Sequence, residues 1–283
     1  MTIEVISYGE VKGNDKQVVD TSFENLINDL KSKYDVEILS IEEETNEEEN
    51  DEKNAIFQLH KSEDSEINKY VKIGEFHIKF KNFKEYIEYC LNYGADVDVI
   101  SPSVLKIDSK EFAEVIGYIV DFFQRLYNAF GVVYNVKKDI DENIDIEKYK
   151  KGIYDEDEVY DLMEEEGLLK FKVVFETRGK SEEEVIKRLI SEIKDFVIIN
   201  KVVSKELESK NIVNPYIKYY GVVMIEILCN PIDLVDISYK FLPVAISTPL
   251  KEINIDSLQL QDIGNELGGA VFEITHTVVY SKR

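Results

Sequence analysis

Gly74, Ser101-Pro102 and Gly117 return as Gly221, Thr248-Pro249 and Gly264, every pair 147 positions apart. A repeat of this length constrains the fold more than any single residue, because both stretches must bury equivalent apolar faces. Ile78 and Phe80 align with Ile225 and Ile227, and Val97 and Val99 with Val244 and Ile246. After one residue of slippage, Ile107-Asp108-Ser109 aligns with Ile255-Asp256-Ser257, and Val132-Val133-Tyr134 returns as Val278-Val279-Tyr280. Near the start of each copy, Ser22, Leu26, Ile27 and Leu30 match Ser181, Val185, Ile186 and Leu189 at a spacing of 159. The difference between the two spacings points to an insertion in the first copy, and the acidic run at 42–52 lies where it is needed.

The expected organisation follows. Residues 1–138 form a first copy with an acidic insertion near 42–53, 139–167 an acidic connector, and 168–283 a second copy. A chain of 283 residues holds two cores of this size. The net charge of −23 is local: 42–52 contributes −8 and 139–167 contributes −10, so the remainder is close to neutral. Charge blocks of this kind repel and solvate. Acidity argues against nucleic acid as a partner, since that affinity comes from neutralising phosphates with Lys and Arg. No uncharged apolar run approaches the length of a membrane span, and the start does not read as a signal peptide. Cys90 and Cys229 sit at unmatched repeat positions, so no disulfide framework is implied, and a cytoplasmic protein is expected.

The periodicity predicts strands at 2–8, 36–41, 70–80, 96–100 and 132–136 in the first copy, with a further edge strand at 55–61. Helices are expected from a Thr21–Glu24 capping box, over 83–91, and from 109 to 129 ending at Gly131. Gly74 reads as a β-bulge. The second copy predicts strands at 168–176, 196–203, 216–228, 242–247 and 271–280, and helices at 181–194, 231–239 and 256–267. A short helix near 155–165 is expected in the connector. The β-α-β-β-α-β order is that of the ferredoxin-like fold, with one helix and strand appended. The predicted fold class is therefore α+β: two tandem ferredoxin-like sandwiches related by internal duplication.

From Phe83 to Pro102 the chain reads FKEYIEYCLNYGADVDVISP. This segment resembles the helix-strand stretch in the C-terminal extension of WYL-domain regulators, where an aromatic-Gly pair ends a helix before a short acidic-apolar strand and a Pro turn. The resemblance covers roughly 20 to 35 of 283 residues and implies a ferredoxin-like unit. The chain has no Trp, hence no Trp-Tyr-Leu motif, and Lys240-Phe241 replaces Tyr93-Gly94 in the second copy. The resemblance therefore carries a fold and no functional residue. The Ile, Lys, Glu and Asn bias points to an archaeal family.

Gly179-Lys180-Ser181 follows a predicted strand and opens a helix, but the earlier glycine of a phosphate loop is replaced by Val174. An ordinary Ser-capped turn is the expectation, with Arg178, Lys180 and Ser181 as a candidate anion site. Asp96 and Asp98 share one side of a strand and form a candidate carboxylate pair, although the second copy has Pro243 and Ala245 there. His60, His77 and His276 have no partners at metal-ligand spacing, and neither cysteine has a positioned base. No catalytic, metal or cofactor residue is assigned, and no cofactor is expected. Three function classes stay open. The favoured one is a non-catalytic scaffold, small-ligand sensor or partner-binding module, with a homo-oligomer or protein partner. The others are an enzyme whose site is assembled between the copies, and regulator-associated nucleic-acid binding through Lys170, Lys172, Arg178, Lys187 and Arg188.

Overall fold

The computed structural model describes residues 2–45, 69–94, 96–131, 140–208 and 217–281. In chain order its elements are β1 (Ile3–Gly13), α1 (Lys16–Lys33), β2 (Asp35–Thr45), β3 (Tyr70–Phe80), α2 (Phe83–Tyr93), β4 (Val97–Ser101), β5 (Val104–Asp108) and α3 (Ser109–Phe130). Then come α4 (Ile146–Lys151), α5 (Glu156–Glu165), β6 (Leu169–Gly179), α6 (Glu182–Ile193), β7 (Ile198–Glu206) and β8 (Tyr219–Cys229). The chain ends with α7 (Pro231–Phe241), β9 (Ala245–Ser247), β10 (Glu252–Asp256) and α8 (Ser257–Ser281). The fold is α+β, with antiparallel sheets and helices packed on them.

Two four-stranded sheets form, ordered β2-β3-β1-β4 and β7-β8-β6-β9, so equivalent strands of the repeat take equivalent places. The described residues fall into two compact units. One comprises Met1–Ser103 with Gly264–Gly269, the other Val104–Ile263 with Ala270–Arg283.

In the first unit, alternation along β1 and β3 drives Ile3, Val5, Phe76, Ile78 and Phe80 onto one face. There they meet Val19, Phe23 and Leu30 of α1 and Tyr86, Tyr89 and Cys90 of α2. Burying each large apolar side chain contributes roughly 1.5–3 kcal/mol. Gly74 lies in unbroken register opposite Gly9 rather than in a bulge. A Cβ there would run into Phe76 Cζ and sit 2.8 Å from Phe23 Cζ, so glycine is required by the rings stacked over it. The register breaks instead at Ile38/Ser40 and at Glu4/Val5. The α1 cap also differs from expectation: Asp15 accepts from the N–H groups of Gln17 and Val18, starting the helix a turn and a half before Thr21.

The segment Gly264–Gly269 of α8 belongs to this first unit. Asn265 accepts from Val97 N–H through Oδ1 (2.9 Å) and donates to Val97 C=O through Nδ2 (3.3 Å). A side-chain amide thus satisfies both backbone groups of the first residue of β4.

In the second unit, Phe171, Val173, Phe175, Val223, Ile225 and Ile227 form the buried sheet face under Ile186 and Ile190 of α6 and Leu234 and Val235 of α7. The helix α3 also packs here, against α7 and β9, with the Phe112 ring tilted against that of Phe171 (centroids 6.1 Å apart) and Tyr127 Oη donating to Tyr239 C=O (2.8 Å). β5 and β10 pair as a separate two-stranded ribbon centred on Lys106↔Asn254, positions that are themselves equivalent in the repeat. Each strand delivers a matched cap: Asp108 accepts from Lys110 and Glu111 N–H, and Asp256 accepts from Gln259 N–H. Neither strand was anticipated from the sequence.

The predicted strand 271–280 is a correction, because α8 runs unbroken through it. Its β-branched residues each weaken a helix by well under 1 kcal/mol, too little to stop one already capped and packed. Thr275 bonds back to Val271 C=O (2.9 Å), using the helix instead of a sheet partner. The strands expected at 55–61 and 132–136 lie outside the described residues.

Candidate functional site

Helices cover one face of each four-stranded sheet; the other faces differ in charge. On the second sheet, register aligns Val203, Met224, Val174 and Ala245 in one apolar row across all four strands. Val203 is 45% exposed, although β-branched apolar residues ordinarily seek the core. One neighbouring row is Lys201, Glu226, Lys172 and Ser247; the other contains Lys205, Val222 and Glu176. Lys172, Lys201 and Lys205 have no acidic partner at ion-pair distance among the described residues. Arg178, at the far end of β6, bonds Glu176 (3.1 Å) and lies over the Tyr220 ring (5.0 Å).

Glu226 is the buried acid of this face. Lys170 Nζ lies 3.0 Å from its Oε1, and Asn200 Nδ2 donates to the same oxygen at 2.9 Å. Burial raises the carboxyl, but these two donors, with the charges of Lys170 and Lys172, outweigh it, and Glu226 is held below the usual carboxylate range. Asn200 Oδ1 meanwhile accepts from Ile153 and Tyr154 N–H (3.1 and 2.9 Å), tying the connector between α4 and α5 to the edge of the sheet.

The first sheet presents the opposite sign. One row of its uncovered face reads Asp98, Ile6, His77 and Glu37, and the next reads Glu4, Lys79 and Asp35. His77 lies 3.0 Å from Glu4 and 3.7 Å from Glu37. Tyr8 donates to Glu75 (3.5 Å), whose other oxygen accepts from Ser40 (3.2 Å). Glu10 and Glu42 flank Ile73 further along. Loss of hydration, then the charges of Glu75 and Asp98, raise the Tyr8 phenol.

The second unit also contains a cleft of about 650 Å³ between α3 and residues 242–246, with Gly117, Tyr118 and Val244 in its walls and Glu114 and Asp121 at its rim. Nothing lies within 4 Å of a Cβ added at Gly117. At its repeat partner Gly264 the equivalent space is filled by Tyr86 and Val97. The second-copy residue corresponding to Tyr86 is Asp233, which accepts from Asn230 N–H (3.0 Å) at the start of α7.

The sequence candidates are distributed as follows. Ser181 caps α6 by accepting from Glu184 N–H (3.1 Å), and Glu184 accepts from Lys180 N–H (2.8 Å), so the helix start already holds a carboxylate of its own. Asp98 lies on the acidic face of the first sheet, while Asp96 precedes β4 and offers its carbonyl to Ser7 and Tyr8. Lys170, Lys172 and Arg178 share the uncovered face of β6. Lys187 and Arg188 do not join them: they sit on α6, on the covered side, paired with Glu183 and Glu184. Sequence reasoning missed Lys201, Lys205 and the apolar row. Val174, Val203 and Met224 lie in runs that read as core, and only cross-strand register separates their face from the buried one.

Both cysteines are buried, with burial pushing the Cys90 thiol up to about 12 and the Cys229 thiol up as well. Among the described residues no group of three His, Cys, Asp or Glu side chains is placed to hold a metal ion, and no helix is long and apolar enough to cross a membrane. His60 lies outside the described residues, and His276 falls in α8 instead of a strand.

No solved structure matches the chain. A protein of Methanocaldococcus jannaschii, described as uncharacterized protein MJ0538, is 41% identical over 281 residues, covering 99% of this chain and all of the relative. The model of one family matches residues 4–281, and the resemblance to WYL-domain regulators is not shown. From that span, the chain belongs to the MJ0538 family.

Proposed function

We propose that this protein is a non-catalytic binding module that works through the uncovered faces of its two sheets. The observation that carries this reading is the apolar row Val203–Met224–Val174–Ala245, set among lysines that form no ion pair among the described residues. Exposed apolar surface rimmed by charge is the usual mark of a protein-protein contact. Burial of both thiols, which keeps them from acting as nucleophiles, supports a role without catalysis. The reading includes descent from a duplicated ferredoxin-like unit, supported by the matching strand orders of the two sheets.

A photo-crosslinking amino acid at Val203, with Leu258 on the exposed side of α8 as control, tests it. The expected result is a protein adduct from position 203 and none from 258; no adduct, or an adduct to nucleic acid, refutes it. The cleft beside Gly117 favours a second role, binding of a small ligand, since its volume falls in the range of small-molecule sites. A thermal-shift screen whose hits disappear in Gly117→Leu tests that role.

A further inference from the structure

We propose that the basic sheet face of one copy of this chain docks on the acidic sheet face of a second copy. This rests on the binding-module reading above and names the partner. The partner of the second sheet must offer apolar groups among carboxylates. The chain makes such a surface itself: Ile6 and the half-exposed Tyr8 lie among Glu4, Glu37, Glu75 and Asp98 on the first sheet. Apolar row would meet apolar row, and Lys172, Lys201 and Lys205, none of them in an ion pair among the described residues, would meet the carboxylates of the second copy. Both surfaces are faces of four-stranded sheets with the same strand order, the second buried only toward its Glu226 and Leu228 end.

A nucleic acid is the other polyanion such a face could attract. It would have to approach a chain of net charge −23, and two of the five basic candidates, Lys187 and Arg188, lie on the covered side and are paired there. A second copy carries no such conflict. The charges steer encounter and fix the register more than they add affinity, so association should weaken with salt. Because each chain carries both halves, the contact is heterologous in kind, and closure into a pair, a ring or a chain depends on geometry.

The experiment uses the full chain, with light scattering and sedimentation equilibrium at about 50 mM and about 500 mM salt, on either side of physiological screening. Met224→Glu disables the basic face and Ile6→Glu the acidic one. The wild type should self-associate more strongly at low salt, and each variant alone should lose at least about tenfold in affinity from burying a charge in an apolar row. Mixed, the two variants should form a 1:1 complex, because each retains the half the other lacks. Melting curves check folding, and if either glutamate unfolds the chain, Lys172→Glu with Lys205→Glu and Glu37→Ala with Glu75→Ala take their place. A monomeric wild type at low salt, variants that associate alone, or a mixture that stays monomeric each overturns the proposal. So does RNA binding that Lys172→Glu with Lys205→Glu abolishes. A monomer that still gives a protein adduct at position 203 sinks the second copy as partner and leaves the binding module standing; a monomer without an adduct sinks both.

Discussion

Gly117 and Gly264 occupy the same place in the repeat, and the structure requires opposite responses when each becomes alanine. Both lie inside helices, where alanine is favoured over glycine by about 1 kcal/mol. At Gly117 nothing lies within 4 Å of the new Cβ, so the propensity gain should appear undiminished, as about 1 kcal/mol of added stability. At Gly264 the new Cβ runs into Tyr86 Oη and comes within 3.0 Å of both Tyr86 Cζ and Val97 Cγ2. Tyr86 and Val97 are essentially fully buried, so neither can swing aside into water. Overpacking of this kind costs roughly 1–3 kcal/mol, and with the Tyr86 ring fixed the upper end applies. Subtracting the propensity gain leaves Gly264→Ala less stable than wild type by about 2 kcal/mol. Urea unfolding followed by tyrosine fluorescence and far-UV circular dichroism reads both changes. Tyr86→Phe removes the atom met first, so in the Gly264→Ala background its own cost should shrink, a coupling that a double-mutant cycle measures. If Gly264→Ala is as stable as wild type, or the two alanines shift stability in the same direction, the account of these glycines is wrong.

Three further outcomes are expected. Asn200→Ala removes the side-chain acceptor for Tyr154 N–H and a donor to buried Glu226, while Ile153 N–H keeps its bond to the backbone carbonyl of residue 200, so it should cost about 1–3 kcal/mol and open the connector to limited proteolysis near residue 154. Glu226 is held low in the folded chain, so its contribution is present above the ordinary carboxylate range and disappears as pH falls through its lowered folded value. Lys170→Met should therefore cost most near neutral pH and progressively less toward pH about 3, as urea midpoints across that range would show. Both thiols should resist a disulfide reagent at pH about 8 in the native protein and react together in urea, because burial suppresses the thiolate and blocks access; rapid labelling of the folded chain would contradict this placement.

Much of the layered architecture was legible in the sequence, for identifiable reasons. Strict alternation at Ile3-Val5 and Phe76-Ile78-Phe80, and a capping residue such as Ser181, are local signals that burial then reinforces. The ribbon of β5 and β10 was not legible: Val104–Asp108 and Glu252–Asp256 are five-residue strands whose partners lie almost 150 residues away. The end of α8 misled for the opposite reason, since its β-branched residues carry a strand signal that the helix overrides. The contrast between the sheet faces was hidden by averaging. A chain whose acidity concentrates in two short tracts conceals a face where Lys172, Lys201 and Lys205 converge, and only register across β6, β8 and β7 brings them together.

That Gly264–Gly269 completes the unit begun at the first residues has a bearing on how the molecule is made. As the chain leaves the ribosome, the first sheet can pair its strands early, yet Val97 must wait for Asn265, which emerges 168 residues later. The interval is long enough for the whole second sheet to form. A nascent or truncated product ending before residue 264 would hold an unfinished first unit, with the backbone of β4 still open to whatever peptide it meets.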